Sequence, residues 1–221
     1  MGHSQSKKEK FNQGLETDYQ ESVSPLPSAE TIKVASKRPT KPALHRIERV
    51  TLHAQPIEGK NEKVVNARDG RKQVHATAEW PNSVHGLVTM SFKNTASWGT
   101  GVMIGPNIVL TAGHNLYDYE TKTYAVLQSM KFLPGMNGNI APFGSVEVEQ
   151  CFVSPNYIKE EKEDYGLLIL KKPIGEKTGY FGLTCLEPDE IKKKRINVIG
   201  YPYDKVISKP CTYEMWGMEG T

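Results

Sequence analysis

Trp98-Gly99-Thr100-Gly101-Val102-Met103-Ile104 runs through Gly105-Pro106-Asn107 into Ile108-Val109-Leu110-Thr111-Ala112-Gly113-His114-Asn115. Two apolar segments flank three turn-favouring residues, the pattern of a β-hairpin. The second segment ends on a histidine set among small side chains. Small neighbours leave room for a substrate backbone, and a rigid strand end fixes the imidazole.

The strand pattern extends in both directions. Val84, Gly86, Val88, Met90 and Phe92 fall on one face, against His85, Thr89, Ser91 and Lys93, with Leu87 out of phase. A period of two over this length predicts a half-buried strand. Tyr124 to Leu133 predicts another before Pro134-Gly135. Ser145 to Val153 alternates again, with Val146, Val148 and Phe152 against Glu147 and Glu149. Tyr165 to Leu170 and Ile196 to Ile199 are continuous apolar runs, and Tyr213 to Met215 starts a last strand. No segment of this part keeps a capped 3.6-residue period. Many short strands between turn signals predict an all-β barrel or sandwich.

Composition divides the 221-residue chain in two. Residues 1–63 hold 11 Lys/Arg and 8 Asp/Glu, so the whole net charge of +3 lies there. Of the aromatics, only Phe11 and Tyr19 precede Val64. A polar segment with Pro25, Pro27, Pro39, Pro42 and Pro56 buries too little surface to offset its ordering entropy, so a disordered arm is expected over 1–63. Residues 64–221 carry the fold. Mean hydropathy is −0.51, and no run approaches the roughly 20 apolar residues of a spanning helix. The charge is too small to indicate a nucleic-acid partner.

No apolar stretch follows Met1, so no secretory signal is expected, and the chain reads as cytoplasmic or peripheral on the cytoplasmic membrane face. Gly2 with Ser6 fits the N-myristoylation pattern, and Lys7, Lys8 and Lys10 follow. Gly2 is therefore a candidate acylation site for a lipid-anchored arm, against the alternative of an ordinary solvated terminus. Cys151, Cys185 and Cys211 have no Cys-x-x-Cys spacing, so zinc is unsupported; Cys151 reads as a buried thiol in an alternating strand. No metal or organic cofactor is expected. Lys192-Lys193-Lys194-Arg195 reads as a surface loop. No motif surrounds His3, His45, His53, His75 or His85, which read as structural.

Asp164 stands at the entrance to Tyr165-Gly166-Leu167-Leu168-Ile169-Leu170. There it should be partly desolvated and in need of a hydrogen-bond partner. Its structural alternative is a cap on the turn before the strand. Together with His114 it resembles the trypsin-like serine peptidases, closest to the glutamyl endopeptidase branch, which has a Thr-Ala-x-His block without an adjacent cysteine. Leu110-Thr111-Ala112-Gly113-His114-Asn115 is that block here. Ile196-Asn197-Val198-Ile199-Gly200-Tyr201-Pro202 is similar to the family's Val-x-Gly-Tyr-Pro strand in the second barrel. Arg68-Asp69-Gly70-Arg71-Lys72-Gln73-Val74 resembles the segment near the mature N-terminus.

The resemblance implies an all-β fold, a trypsin-like double antiparallel β-barrel, with the second barrel truncated. It implies His114 as general base and acid and Asp164 as the residue that orients it, with a polypeptide as substrate. It also aligns Val64 with a mature N-terminus, which would make residues 1–63 a propeptide; cleavage there would release the folded part from any lipid. The family's serine lies in Gly-x-Ser-Gly, roughly 70–100 residues after the aspartate. Only 57 residues follow Asp164, and neither Ser208 nor Cys211 has a glycine-flanked turn. Three readings stay open: a serine endopeptidase whose nucleophile lies beyond the given chain, an inactive pseudoprotease acting as a membrane-tethered interaction module, and a non-peptidase β domain with an accidental His114 match.

Overall fold

A computed structural model describes residues 36–39, 48–49, 69–93, 95–208 and 211–220. Its main strands are β1 (Lys72–Gln73), β2 (His85–Phe92), β3 (Thr95–Met103), β4 (Ile108–Thr111), β5 (Lys131–Pro134), β6 (Val146–Val153), β7 (Gly166–Leu170), β8 (Ile196–Gly200) and β9 (Trp216–Gly220). The β3–β4 hairpin forms as the sequence predicts, with Ile104 N–H donating to Ile108 O (2.9 Å) across the Gly105-Pro106-Asn107 turn.

Six strands close into an antiparallel barrel in the order β6-β7-β4-β3-β2-β5. Closure pairs every strand on both sides, so no backbone edge is left open. Val88, Met90, Met103, Val109, Phe132 and Leu168 belong to its buried core. A second apolar cluster of Leu87, Trp98, Leu133, Met136, Ala141, Tyr201, Tyr213 and Met215 packs separately. It connects the barrel to a three-stranded antiparallel sheet in the order β8-β9-β1. Tyr201 N–H donates to Thr100 Oγ1 and Tyr201 Oη to Met136 O, both at 2.8 Å. The described residues thus hold one complete barrel and, in place of a second, this sheet and the short Ile207–Ser208/Cys211–Thr212 hairpin.

Several strands differ from expectation for identifiable reasons. β2 is buried on both faces from His85 to Met90, because Leu87 enters the second cluster while Val88 and Met90 enter the first. A register shift between Val148 and Gln150 in β6 reverses the alternation, leaving Phe152 39% exposed and Val153 buried. The strand expected over Tyr124–Leu133 is split: Tyr124 pairs with Tyr117 in a two-residue ladder, and the longer strand is β5. Before it, Ser129 Oγ donates to Val126 O (2.6 Å) and holds a tight turn that competes with a ladder. Ile196 and Val198 of β8 are exposed. Tyr213 and Met215 pack in the second cluster, and the last strand starts at Trp216.

A six-residue helix, α1 (Pro155–Glu160), forms in a part of the chain whose sequence shows no sustained helical period. Ser154 Oγ accepts from Asn156 N–H and Pro155 opens the first turn. Among the described residues no helix is long and apolar enough to cross a membrane. Two stretches within the arm expected to be disordered are described, and both pair with the fold: Lys37 with Tyr180, and Glu48–Arg49 with Ile140–Ala141. Gly2, the Lys63-Val64 junction, His3, His45 and His53 lie outside the described residues.

Leu87→Ala should destabilise the protein by about 2–5 kcal/mol in chemical denaturation, the cost of emptying a well-packed site. A near-neutral result would show that the second cluster is not a core.

Candidate active site

Within the barrel, β4 and β7 run antiparallel with Gly166 opposite Thr111. The chain therefore leaves β4 where it enters β7. His114 lies just beyond Thr111 and Asp164 just before Gly166, so 50 residues of sequence separation collapse to one corner of the barrel. A single 3-10 turn, Gly113–Asn115, carries the histidine. Asn115 Nδ2 donates to Thr111 Oγ1 (2.9 Å), and Thr111 Oγ1 donates to Thr100 O (2.8 Å), which ties that turn back to β3.

Asp164 engages His114 twice. Its Oδ1 accepts the His114 backbone N–H at 2.8 Å, and its Oδ2 lies 2.6 Å from Nδ1. An ionised carboxylate only accepts, so Nδ1 is the donor, and in the neutral imidazole the lone pair is on Nε2. The backbone contact fixes the carboxylate while the side-chain contact fixes the ring. Gly113 eases the approach: a Cβ there would stand 3.1 Å from Asp164 Oδ1 and from the Tyr157 ring, so both would have to give way slightly. Tyr157 is buried beneath the pair, and its phenol is pushed up to about 12, by burial first and by the Asp164 charge second. Asp164 is partly enclosed and finds its hydrogen-bond partner in His114. Its side chain is 41% exposed, and that of His114 39%.

A cavity of about 550 Å³ opens beside His114, between the barrel and the β8–β9 sheet. Trp98 and Thr100 line it from the barrel, and Val198, Trp216 and Met218 from the sheet. Trp98 stacks on Tyr203, with centroids 5.0 Å apart and planes 7° from parallel. Arg71 closes one end. Its guanidinium donates to both carboxylate oxygens of Asp69 and both of Asp204, and Lys205 pairs with Asp69 as well. The Arg71–Asp204 contact spans 133 residues and fixes the turn that carries Tyr203. No local sequence pattern signals it. Tyr157 and Gly113 were also not singled out as site residues, although the small residue before His114 was a usable signal.

Of the other candidates, Cys151 is half-buried, and burial pushes its thiol up; Cys185 is exposed. Ser208 and Cys211 are backbone partners on a two-residue ladder. Lys192 to Arg195 are exposed at the surface before β8, as expected. Among the described residues no group of three or more His, Cys, Asp or Glu is placed to hold a metal ion.

A closed antiparallel barrel with a His–Asp pair at the meeting of two strand ends defines the class of trypsin-like folds. The Trypsin family model matches residues 74–214, and the chain belongs to that family. It is 32% identical to the glutamyl endopeptidase of Bacillus licheniformis over 144 residues, covering 65% of this chain and 43% of that protein. It is 26% identical over 141 residues to a Bacillus subtilis protein named extracellular metalloprotease, covering 62% of this chain and 44% of that one. The chain thus spans less than half the length of these curated relatives. Among solved structures, Glu endopeptidase in complex with MPD superposes with a TM-score of 0.59 and 28% identity, covering 72% of this chain and 70% of that one. The thermostable serine protease AL20, at 17% identity and a TM-score of 0.53, covers 63% and 65% and shares the fold alone.

Arg71 holds the Asp69 and Asp204 carboxyls below their ordinary range, with Lys205 adding to the effect on Asp69. A carboxyl depressed in the folded state stabilises the fold above its unfolded pKa, about 3.9, and that contribution is lost as pH falls through the folded value. Thermal melts of the wild type and Asp204→Asn should therefore differ at neutral pH and converge on acidification below pH of about 4. A gap that persists in acid would show that Asp204 acts through packing rather than charge.

Proposed function

We propose that the chain carries the general base and orienting aspartate of a serine endopeptidase that hydrolyses peptide bonds of polypeptide substrates. The two-point contact between Asp164 and His114 carries the reading. A hydroxyl is a weak nucleophile until a base takes its proton during attack. His114 Nε2 is the nitrogen available for that transfer and for returning the proton to the leaving amine. Asp164 keeps the ring in the required tautomer and stabilises the imidazolium. The cavity beside His114 gives an extended substrate room against apolar walls. The nucleophilic serine and its oxyanion donors would come from polypeptide beyond Thr221. Proton and acyl transfer of this kind need no metal or organic cofactor. In this reading the peptidase domain runs over residues 64–221, and 1–63 form an arm or propeptide.

The test uses the protein with whatever sequence continues past Thr221. A serine-directed phosphonate should label it, and His114→Ala should abolish labelling and lower peptide hydrolysis by about 10⁴-fold or more. Unchanged labelling in His114→Ala would remove the assigned role. A reading frame that stops at Thr221, in a protein that does not label, would favour the pseudoprotease.

A further inference from the structure

Residues 179–182 lie between the barrel and a piece of the N-terminal arm, and their amides alternate between the two. Phe181 N–H donates inward to Met103 O, at the end of β3 (2.9 Å). Tyr180 N–H donates outward to Lys37 O, and Lys37 N–H returns to Tyr180 O, each at 3.0 Å. Gly182 N–H donates outward to Ser36 Oγ (3.0 Å). A strand bonded to two neighbours behaves in this way, and addition of an extended peptide to such an edge is a general mode of recognition.

The groove is held from below, independently of the arm. Buried Ser83 donates its hydroxyl to Thr178 O (2.8 Å), and buried Thr178 donates to Gly179 O (2.9 Å). Trp80 packs edge-on against Phe181 at 5.5 Å, and Phe181 against buried His85 at 5.5 Å. Gly179 shapes the floor. Its φ is +79°, and a Cβ would stand 2.6 Å from Lys37 O and 2.8 Å from the Trp80 ring. The Arg38 guanidinium lies 5.9 Å over that same ring. A second ladder, Glu48–Arg49 with Ile140–Ala141, holds the arm farther along.

We infer that Gly179–Gly182 forms a strand-addition groove whose occupant is the arm segment Ser36-Lys37-Arg38-Pro39, and that the arm stays bound through it when the chain is cut at Lys63-Val64. The groove suits an extended peptide with a hydroxyl at its first position and a cation at its third. Both arm contacts lie upstream of the cut, so breaking the covalent link removes neither. Cleavage yields a two-chain particle, and any surface that holds the arm also holds the folded domain. The inference is independent of peptidase activity.

A site for a specific protease inserted between Lys63 and Val64 allows the full chain to be cut at will. After cutting, the arm should co-elute with the folded part in gel filtration, identified by mass spectrometry. Lys37→Pro removes one donor and should weaken retention by about fivefold, the value of one backbone hydrogen bond. In the uncut protein, Lys37→Pro should speed amide exchange at Tyr180 and Gly182 and leave Phe181 unchanged. Ser36→Ala should speed exchange at Gly182 alone, which separates loss of docking from a general loosening of the fold. Separation of the arm from the cut wild type, or unchanged exchange at Tyr180 and Gly182 in Lys37→Pro, would overturn the proposal.

Discussion

Gly166 sits opposite Thr111 in the β4–β7 pair, and the His114–Asp164 corner depends on that register. A slip of one residue would turn every side chain of β7 to the other face of the barrel wall. It would also carry Asp164 away from the His114 amide. Barrel closure prevents the slip, since β4 is fixed by β3 on one side and β7 by β6 on the other. The site is thus positioned by ladders that contain neither of its two side chains. Asp164 then needs only a short reach, and the glycine at 113 eases it.

The barrel wall serves two interiors at once. Val88 faces the barrel core and its neighbour Leu87 faces the second cluster, both fully buried. β3 does the same, with Met103 in one cluster and Trp98 in the other. Because the second cluster draws on Tyr201, Tyr213 and Met215 from the C-terminal part, the cavity wall beyond His114 is anchored to the barrel. The Trp98–Tyr203 stack and the Arg71–Asp204 fork extend that anchoring across the cavity. The cavity wall and the barrel core therefore share residues.

Local signals made part of this legible. Gly105-Pro106-Asn107 between two apolar runs gave the hairpin, and small residues around His114 marked a strand end with open space. Asp164 stood out as a charge at the mouth of an apolar strand. Features set by distant partners were not legible. Leu87 broke the alternation because the cluster it enters includes Tyr201 and Met215, more than a hundred residues away. Phe152 was misplaced because a bulge leaves no composition signal in β6. Ser36 to Pro39 looked like any polar, proline-bearing stretch, since their attachment is largely through the backbone, and backbone hydrogen bonds carry no residue signature.

The edge of the three-stranded sheet has a consequence for behaviour in solution. Among the described residues β8 is paired by β9 on one side only, and it presents Ile196 and Val198, 46% and 59% exposed, beside Met218. An apolar edge strand with free backbone groups is a template on which another chain can add. Lys192, Lys193, Lys194 and Arg195 stand directly before it, all exposed. Lys192 pairs with Asp189, and Lys193, Lys194 and Arg195 add positive charge beside the edge, which opposes the approach of a like-charged edge. That opposition is electrostatic, so concentrated salt would weaken it while strengthening apolar contact. The cations before β8, which lie outside the site, thus place like charge where two such edges would meet.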